Sequence, residues 1–108
     1  MIKKFNSVLI IGMGLIGSSI SRALIENHVA NNVYGLDADS KVIKKCQNLK
    51  IIIQGKIELK DFNLQFDLVI ICTPLSTYKQ VFNSLSEFVS IPTLLTDVGS
   101  TKMSTIND

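Results

Sequence analysis

Val8-Leu9-Ile10-Ile11-Gly12-Met13-Gly14-Leu15-Ile16-Gly17 is the stretch of this 108-residue chain whose reading decides the fold. Val8 to Ile11 is a continuous apolar run rather than an alternating one, the pattern of a parallel strand covered on both faces. Gly12 ends it. From Leu15 the pattern turns helical, with Leu15, Ile16, Ile20, Ala23 and Leu24 on one face. The join reads G-x-G-x-x-G, and Asp37 follows 20 residues after Gly17, at the end of the next predicted strand. Glycines at this spacing arise by chance. A strand before them, a helix after them and an acidic residue at that distance raise the pattern toward a dinucleotide site, against the plain alternative of a glycine turn that binds nothing. Gly12 permits the tight turn, Gly14 lets a pyrophosphate approach the backbone, and Gly17 lets the helix pack closely on the sheet. The helix N-terminus offers unpaired N–H groups and partial positive charge to the phosphates. Gly12, Met13, Gly14, Leu15, Ile16 and Gly17 are therefore candidate cofactor-binding residues.

Asp37 can accept hydrogen bonds from the adenosine ribose hydroxyls and would repel a 2′-phosphate, which favours NAD over NADP. No Arg directly follows it to take up a phosphate, and Arg22 lies within the helix. The plain alternative for Asp37 is a strand-ending turn residue. Asp39 is a rival for the ribose, although its position better suits a helix cap.

Outward from this unit, strands and helices alternate. The Asn27-His28 region and an Asn31-Asn32 turn are expected to stop the first helix, and Asn32 to Asp37 reads as a second strand. Asp39 or Ser40 can cap a short helix over Lys41 to Asn48. Ile51-Ile52-Ile53 reads as a third strand, and Gly55 to Gln65 as a turn of helix or an irregular link. Phe66 to Cys72 is a clear strand with Pro74 just beyond it. Ser76 is expected to cap a helix that places Tyr78, Val81, Phe82, Leu85, Phe88 and Val89 on one face. Thr93 to Val98 reads as a fifth strand, and Gly99-Ser100 as the turn into a helix starting at Thr101. This alternation predicts an α/β, Rossmann-type doubly wound parallel sheet of about five strands in the order 3-2-1-4-5. Residues 1–108 form one dinucleotide-binding domain. Because Asp108 falls barely two turns into the last helix, we read that domain as incomplete and the chain as a fragment.

Bulk properties narrow the class. Hydrophobic residues make up 46% and charged residues 19%, as in an ordinary globular domain. The net charge is +2, and the longest basic runs are the pairs Lys3-Lys4 and Lys44-Lys45, which gives no nucleic-acid footprint. No stretch reaches the ~18 apolar residues of a membrane span. The spacing of Cys46 and Cys72 suggests neither a metal site nor a disulfide, so they read as reduced thiols of a cytoplasmic protein.

Two further segments sit at predicted carboxyl ends of strands, where open parallel sheets bind ligands. Cys72-Thr73-Pro74 ends the fourth strand, which neighbours the first across the switch in strand order. Thr73 and Pro74 are thus placed to line the nicotinamide side of a cofactor, or else form a turn without contact. Thr96-Asp97-Val98-Gly99-Ser100-Thr101-Lys102 ends the fifth, and by spacing alone Ser100 is equally well a helix cap and Asp97 a capping or turn residue.

GMGLIGSS after VLII, then VYGLD, DLVIICTP and TDVGSTK, resembles the prephenate dehydrogenase family, including its arogenate and cyclohexadienyl variants. The resemblance covers essentially the whole chain. The glycine motif is shared with many dehydrogenases, while TDVGSTK is more specific. Members commonly read D-V-G-S-V-K there, so Thr101 departs mildly from the pattern. The resemblance implies NAD-dependent oxidative decarboxylation of prephenate to 4-hydroxyphenylpyruvate, on the route to tyrosine. It implies that Ser100 bonds the substrate hydroxyl and assists a catalytic histidine, and that Lys102 assists charge or substrate placement unless it is a solvated helix lysine. In the family the general base is a histidine in an H-P-x-x-G segment downstream of the position of Ser100, and this chain is expected to end before it. A C-terminal helical domain, with dimer contacts and substrate-binding arginines, is expected in the full-length homodimer but not in these residues. His28, near the end of the first helix, reads as a surface residue. The fragment is expected to hold NAD and to be inactive alone.

Three other readings compete. Another NAD(P) enzyme of hydroxyacid or pyrroline-carboxylate reductase type would share the front end, but not the pairing of the glycine loop with TDVGSTK. A non-catalytic nucleotide-sensing module would share the loop and Asp37, without reason to place Pro74 and a Gly-Ser-Thr-Lys turn on the neighbouring strand ends. A degenerate fragment without function of its own is the third.

Overall fold

The computed structural model of the chain describes residues 4–98. Gly99, Ser100, Thr101 and Lys102, with the helix expected to start there, lie outside the described residues. Five strands form one parallel sheet: β1 (Phe5–Ile11), β2 (Ala30–Leu36), β3 (Gln54–Lys56), β4 (Leu68–Ile71) and β5 (Leu94–Asp97). Their order is β3-β2-β1-β4-β5, the doubly wound order expected. Three α-helices connect them among the described residues: α1 (Leu15–Glu26), α2 (Ser40–Asn48) and α3 (Tyr78–Phe88).

The continuous apolar run of β1 is explained by its place at the centre. Val8 and Ile10 point into a core with Ile43 and Cys46 of α2, Leu68 and Ile70 of β4, and the half-buried Ile20 and Leu24 of α1. Leu9 and Ile11 point the other way, into a core with Phe62, Phe66, Val69, Ile71 and Leu85 of α3. Successive strand side chains alternate faces, so a strand covered on both sides must be apolar throughout. Asp39 caps α2, accepting the Lys41 N–H at 2.9 Å. That settles its role as the cap.

Four expectations need correction. The inward stripe of α1 is Gly17, Ile20, Ser21 and Leu24, so Ala23 is exposed, and Leu15 and Ile16 are 86% and 57% exposed. The helix lies so close to the loop that only a residue without a side chain fits at position 17. The third strand, Gln54–Lys56, follows directly after the expected Ile51–Ile53. Ile51 and Ile52 are buried as loop residues against α2, and the strand is made by pairing Gln54, Gly55 and Lys56 with Tyr34, Gly35 and Leu36. Asn31 and Asn32 belong to β2. The helix is stopped earlier by Asn27 and by His28 at φ 56°, a left-handed residue. Ser76 does not cap α3. A 3₁₀ turn over Leu75–Thr77 leads into the helix, whose N-cap Thr77 makes no side-chain cap bond. Of the predicted α3 face, Leu85 is buried and Tyr78, Val81, Phe88 and Val89 pack half-buried, while Phe82 is 43% exposed.

Candidate functional site

The sheet order switches between β2 and β4 on either side of β1, and the carboxyl ends of these strands meet at one cleft. It has a volume of about 950 Å³ and is lined there by Ile11, Gly12, Leu36, Asp37 and Thr73. It continues between the Ile57–Lys60 segment and α3, where Gln80, Val81, Ser84 and Phe88 line it. Residues from three separate sequence signals, Gly12, Asp37 and Thr73, therefore share one wall. His28 is at the opposite end of α1, by the amino ends of the strands, because a helix connecting parallel strands runs against them.

The glycine loop is shaped by contacts that side chains would prevent. Gly12 adopts φ +94°, and a Cβ there would stand 2.9 Å from Cγ2 of Thr73. Its N–H donates to the Leu36 carbonyl at 2.7 Å, joining the end of β1 to the end of β2. A Cβ at Gly17 would run into the Gly12 carbonyl oxygen. Gly14 differs: a Cβ there would meet no protein atom within 4 Å. The space it leaves free is open to a ligand. Gly14 is the N-cap of α1 and offers no side chain to cap the first turn. Met13 lies beneath, 1% exposed, its side chain against Gly35 of β2.

Asp37 follows β2 directly and is half-buried. Its Oδ2 accepts the Met13 N–H at 2.8 Å, and its Oδ1 accepts the Asp39 N–H at 2.9 Å. A carboxylate has about four acceptor positions, so about two remain for hydroxyl donors. An anionic acceptor beside an uncapped helix start is what an adenosine ribose next to a pyrophosphate requires. These residues fit a dinucleotide.

Beyond β4, the Cys72 N–H donates to the Ile11 carbonyl at 2.8 Å, which brings Thr73 against Gly12. The Thr73 and Thr77 hydroxyls lie 2.7 Å apart, and Thr77 Oγ1 donates to the Pro74 carbonyl at 2.6 Å. Burial pushes the Cys72 thiol up from 9.0 to about 11. Pro74, Leu15 and Ile16 are exposed and are not among the residues that line the cleft. Sequence reasoning gave Ser18 and Thr77 no role and read Cys46 only as a reduced thiol. Ser18 and Cys46 both approach the Met13 carbonyl, at 3.1 Å and 3.9 Å. Only the four-residue spacing of Thr73 and Thr77 within one turn was a usable signal.

The sequence model of the family described as prephenate dehydrogenase, nucleotide-binding domain, matches residues 20–108. The chain is 32% identical over 96 residues to the prephenate dehydrogenase of Lactococcus lactis, covering 88% of this chain and 27% of that protein. It is 28% identical over 103 residues to that of Bacillus subtilis, covering 94% of this chain and 28% of that protein. The chain thus spans between a quarter and a third of the length of these relatives. A crystal structure of prephenate dehydrogenase from Aquifex aeolicus, in complex with hydroxyphenyl propionate and NAD⁺, superposes with a TM-score of 0.81 at 28% identity, over 85% of this chain and 32% of that one. A diketoreductase superposes with a TM-score of 0.73 at 18% identity, over 93% of this chain and 44% of that one, a likeness of fold alone. With the family match running over most of its residues, the chain belongs to the prephenate dehydrogenase family, of which it carries the nucleotide-binding domain.

Proposed function

We propose that this domain binds NAD in the cleft at the carboxyl ends of β1, β2 and β4, and serves the oxidation of prephenate. The observation that carries this reading is the Asp37 carboxylate, bonded to the glycine loop with acceptor capacity to spare, beside the open N-terminus of α1. Bound NAD would accept the hydride that leaves the ring carbon bearing the 4-hydroxyl, and loss of carbon dioxide would then aromatise the ring.

The chain's own residues would do the following. Gly14 and the first turn of α1 bind the pyrophosphate, Asp37 takes the ribose hydroxyls, and Thr73 and Pro74 border the nicotinamide side. Ser100 bonds the substrate hydroxyl, and Lys102 helps place the substrate. Proton removal from that hydroxyl needs a base within hydrogen-bond reach. His28, the chain's one histidine, is remote from the cleft, so we assign the base to the histidine segment that the family resemblance implies. A homodimer and a cytoplasmic location belong to the same proposal, with arogenate as the alternative substrate. The test is NADH absorbance on adding prephenate to the 108-residue chain with NAD. No turnover is expected, and clear turnover would contradict the assignment of the base.

A further inference from the structure

We propose that Ser18 is a positioning residue for phosphate binding, acting by fixing which way the Met13–Gly14 peptide faces. The proposal rests on the dinucleotide reading above. A serine inside a helix usually bonds the carbonyl one turn back. Ser19 does so, donating to Leu15 at 3.0 Å. Ser18 instead reaches five residues back, past the end of α1, and donates to the Met13 carbonyl at 3.1 Å. Its own N–H holds the next carbonyl, that of Gly14, at 2.9 Å. Cys46 of α2 brings its Sγ to 3.9 Å from the same Met13 oxygen and 3.8 Å from the Ser18 hydroxyl.

The consequence follows from peptide geometry. The described peptides are all trans, and in a planar trans peptide the carbonyl and the following N–H point in opposite directions. With the Met13 carbonyl turned in toward Ser18 and Cys46, the Gly14 N–H is turned out. Gly14 is itself exposed, and a Cβ there would meet nothing within 4 Å, so the loop is open on this side. A glycine is where such a peptide can most easily turn over, because no side chain resists. Turned over, it would present a carbonyl oxygen to the phosphates instead of a donor. Restraint must therefore come from the partners of the carbonyl. Ser18 supplies the closest one, while Asp37 fixes the N–H side of Met13.

The test uses the 108-residue chain, ADP-ribose and adenosine, with calorimetry and ¹⁵N-resolved amide spectra. Ser18→Ala is expected to weaken ADP-ribose about fivefold, the effect of one neutral hydrogen bond, and to leave adenosine unchanged. In the wild-type chain the Gly14 amide signal should move on adding ADP-ribose. Equal affinity of wild type and Ser18→Ala for ADP-ribose, or an equal loss for adenosine, would overturn the proposal. So would a Gly14 signal unmoved by bound ADP-ribose in the wild type, a result that does not depend on the variant folding. Failure of the wild type to bind ADP-ribose at all would instead refute the dinucleotide reading, and the role of Ser18 with it.

Discussion

Oδ2 of Asp37 accepts the Met13 N–H at 2.8 Å, so the acidic residue that ends β2 is bonded to the glycine loop that ends β1. One side chain therefore serves the loop and, as proposed, the ribose. Asp37→Ala should cost both. The N–H of the buried Met13 would be left without its acceptor, at about 1–3 kcal/mol of stability. Loss of charge-assisted bonds to the ribose should weaken NAD about tenfold or more. Thermal unfolding and calorimetry on the same variant measure the two effects.

The three loop glycines should separate stability from binding. Gly12→Ala places a Cβ against Thr73 in a left-handed conformation and should destabilise the fold by about 1–3 kcal/mol. Gly17→Ala, with its Cβ driven into the Gly12 carbonyl, should destabilise at least as much. Gly14→Ala meets open space at φ −70°, so its melting temperature should stay near wild type while NAD affinity falls. A Gly14→Ala protein that binds NAD normally would show that the phosphates do not sit there.

Cys72 gives a pH dependence with a definite sign. Its thiol is raised from 9.0 to about 11 by burial, so the folded chain keeps a proton that the unfolded chain releases. The thiol's contribution to stability is fully present below about pH 9 and is lost as pH rises toward 11. Denaturant titrations of wild type and Cys72→Ala should therefore converge in relative stability across that window. Alkylation of Cys72 in the folded chain should be slow at pH 8, because the thiolate is the reactive form.

Much of the site was legible because its signals are local. The apolar run of β1, the glycine spacing, Asp37 and the Asp39 cap are each set by a few neighbouring residues. The misreadings arose where tertiary packing decides. Ile51 and Ile52 have strand character but are buried as loop residues, while Gln54-Gly55-Lys56 pair because β2 presents an edge to them. Leu15 and Ile16 are apolar yet exposed, because closeness to the loop assigns the inward stripe to Gly17 and Ser21. Ser18 and Cys46 meet at the Met13 carbonyl from positions 28 residues apart, which no local pattern encodes.

The most direct measurement is calorimetric titration of the chain with NAD and with NADP under identical conditions. A cleft that reads the ribose through the Asp37 carboxylate should bind NAD about tenfold or more tighter, because the 2′-phosphate would meet a like charge at close range. Equal or tighter binding of NADP would contradict the role of Asp37, and no binding of either would contradict the site.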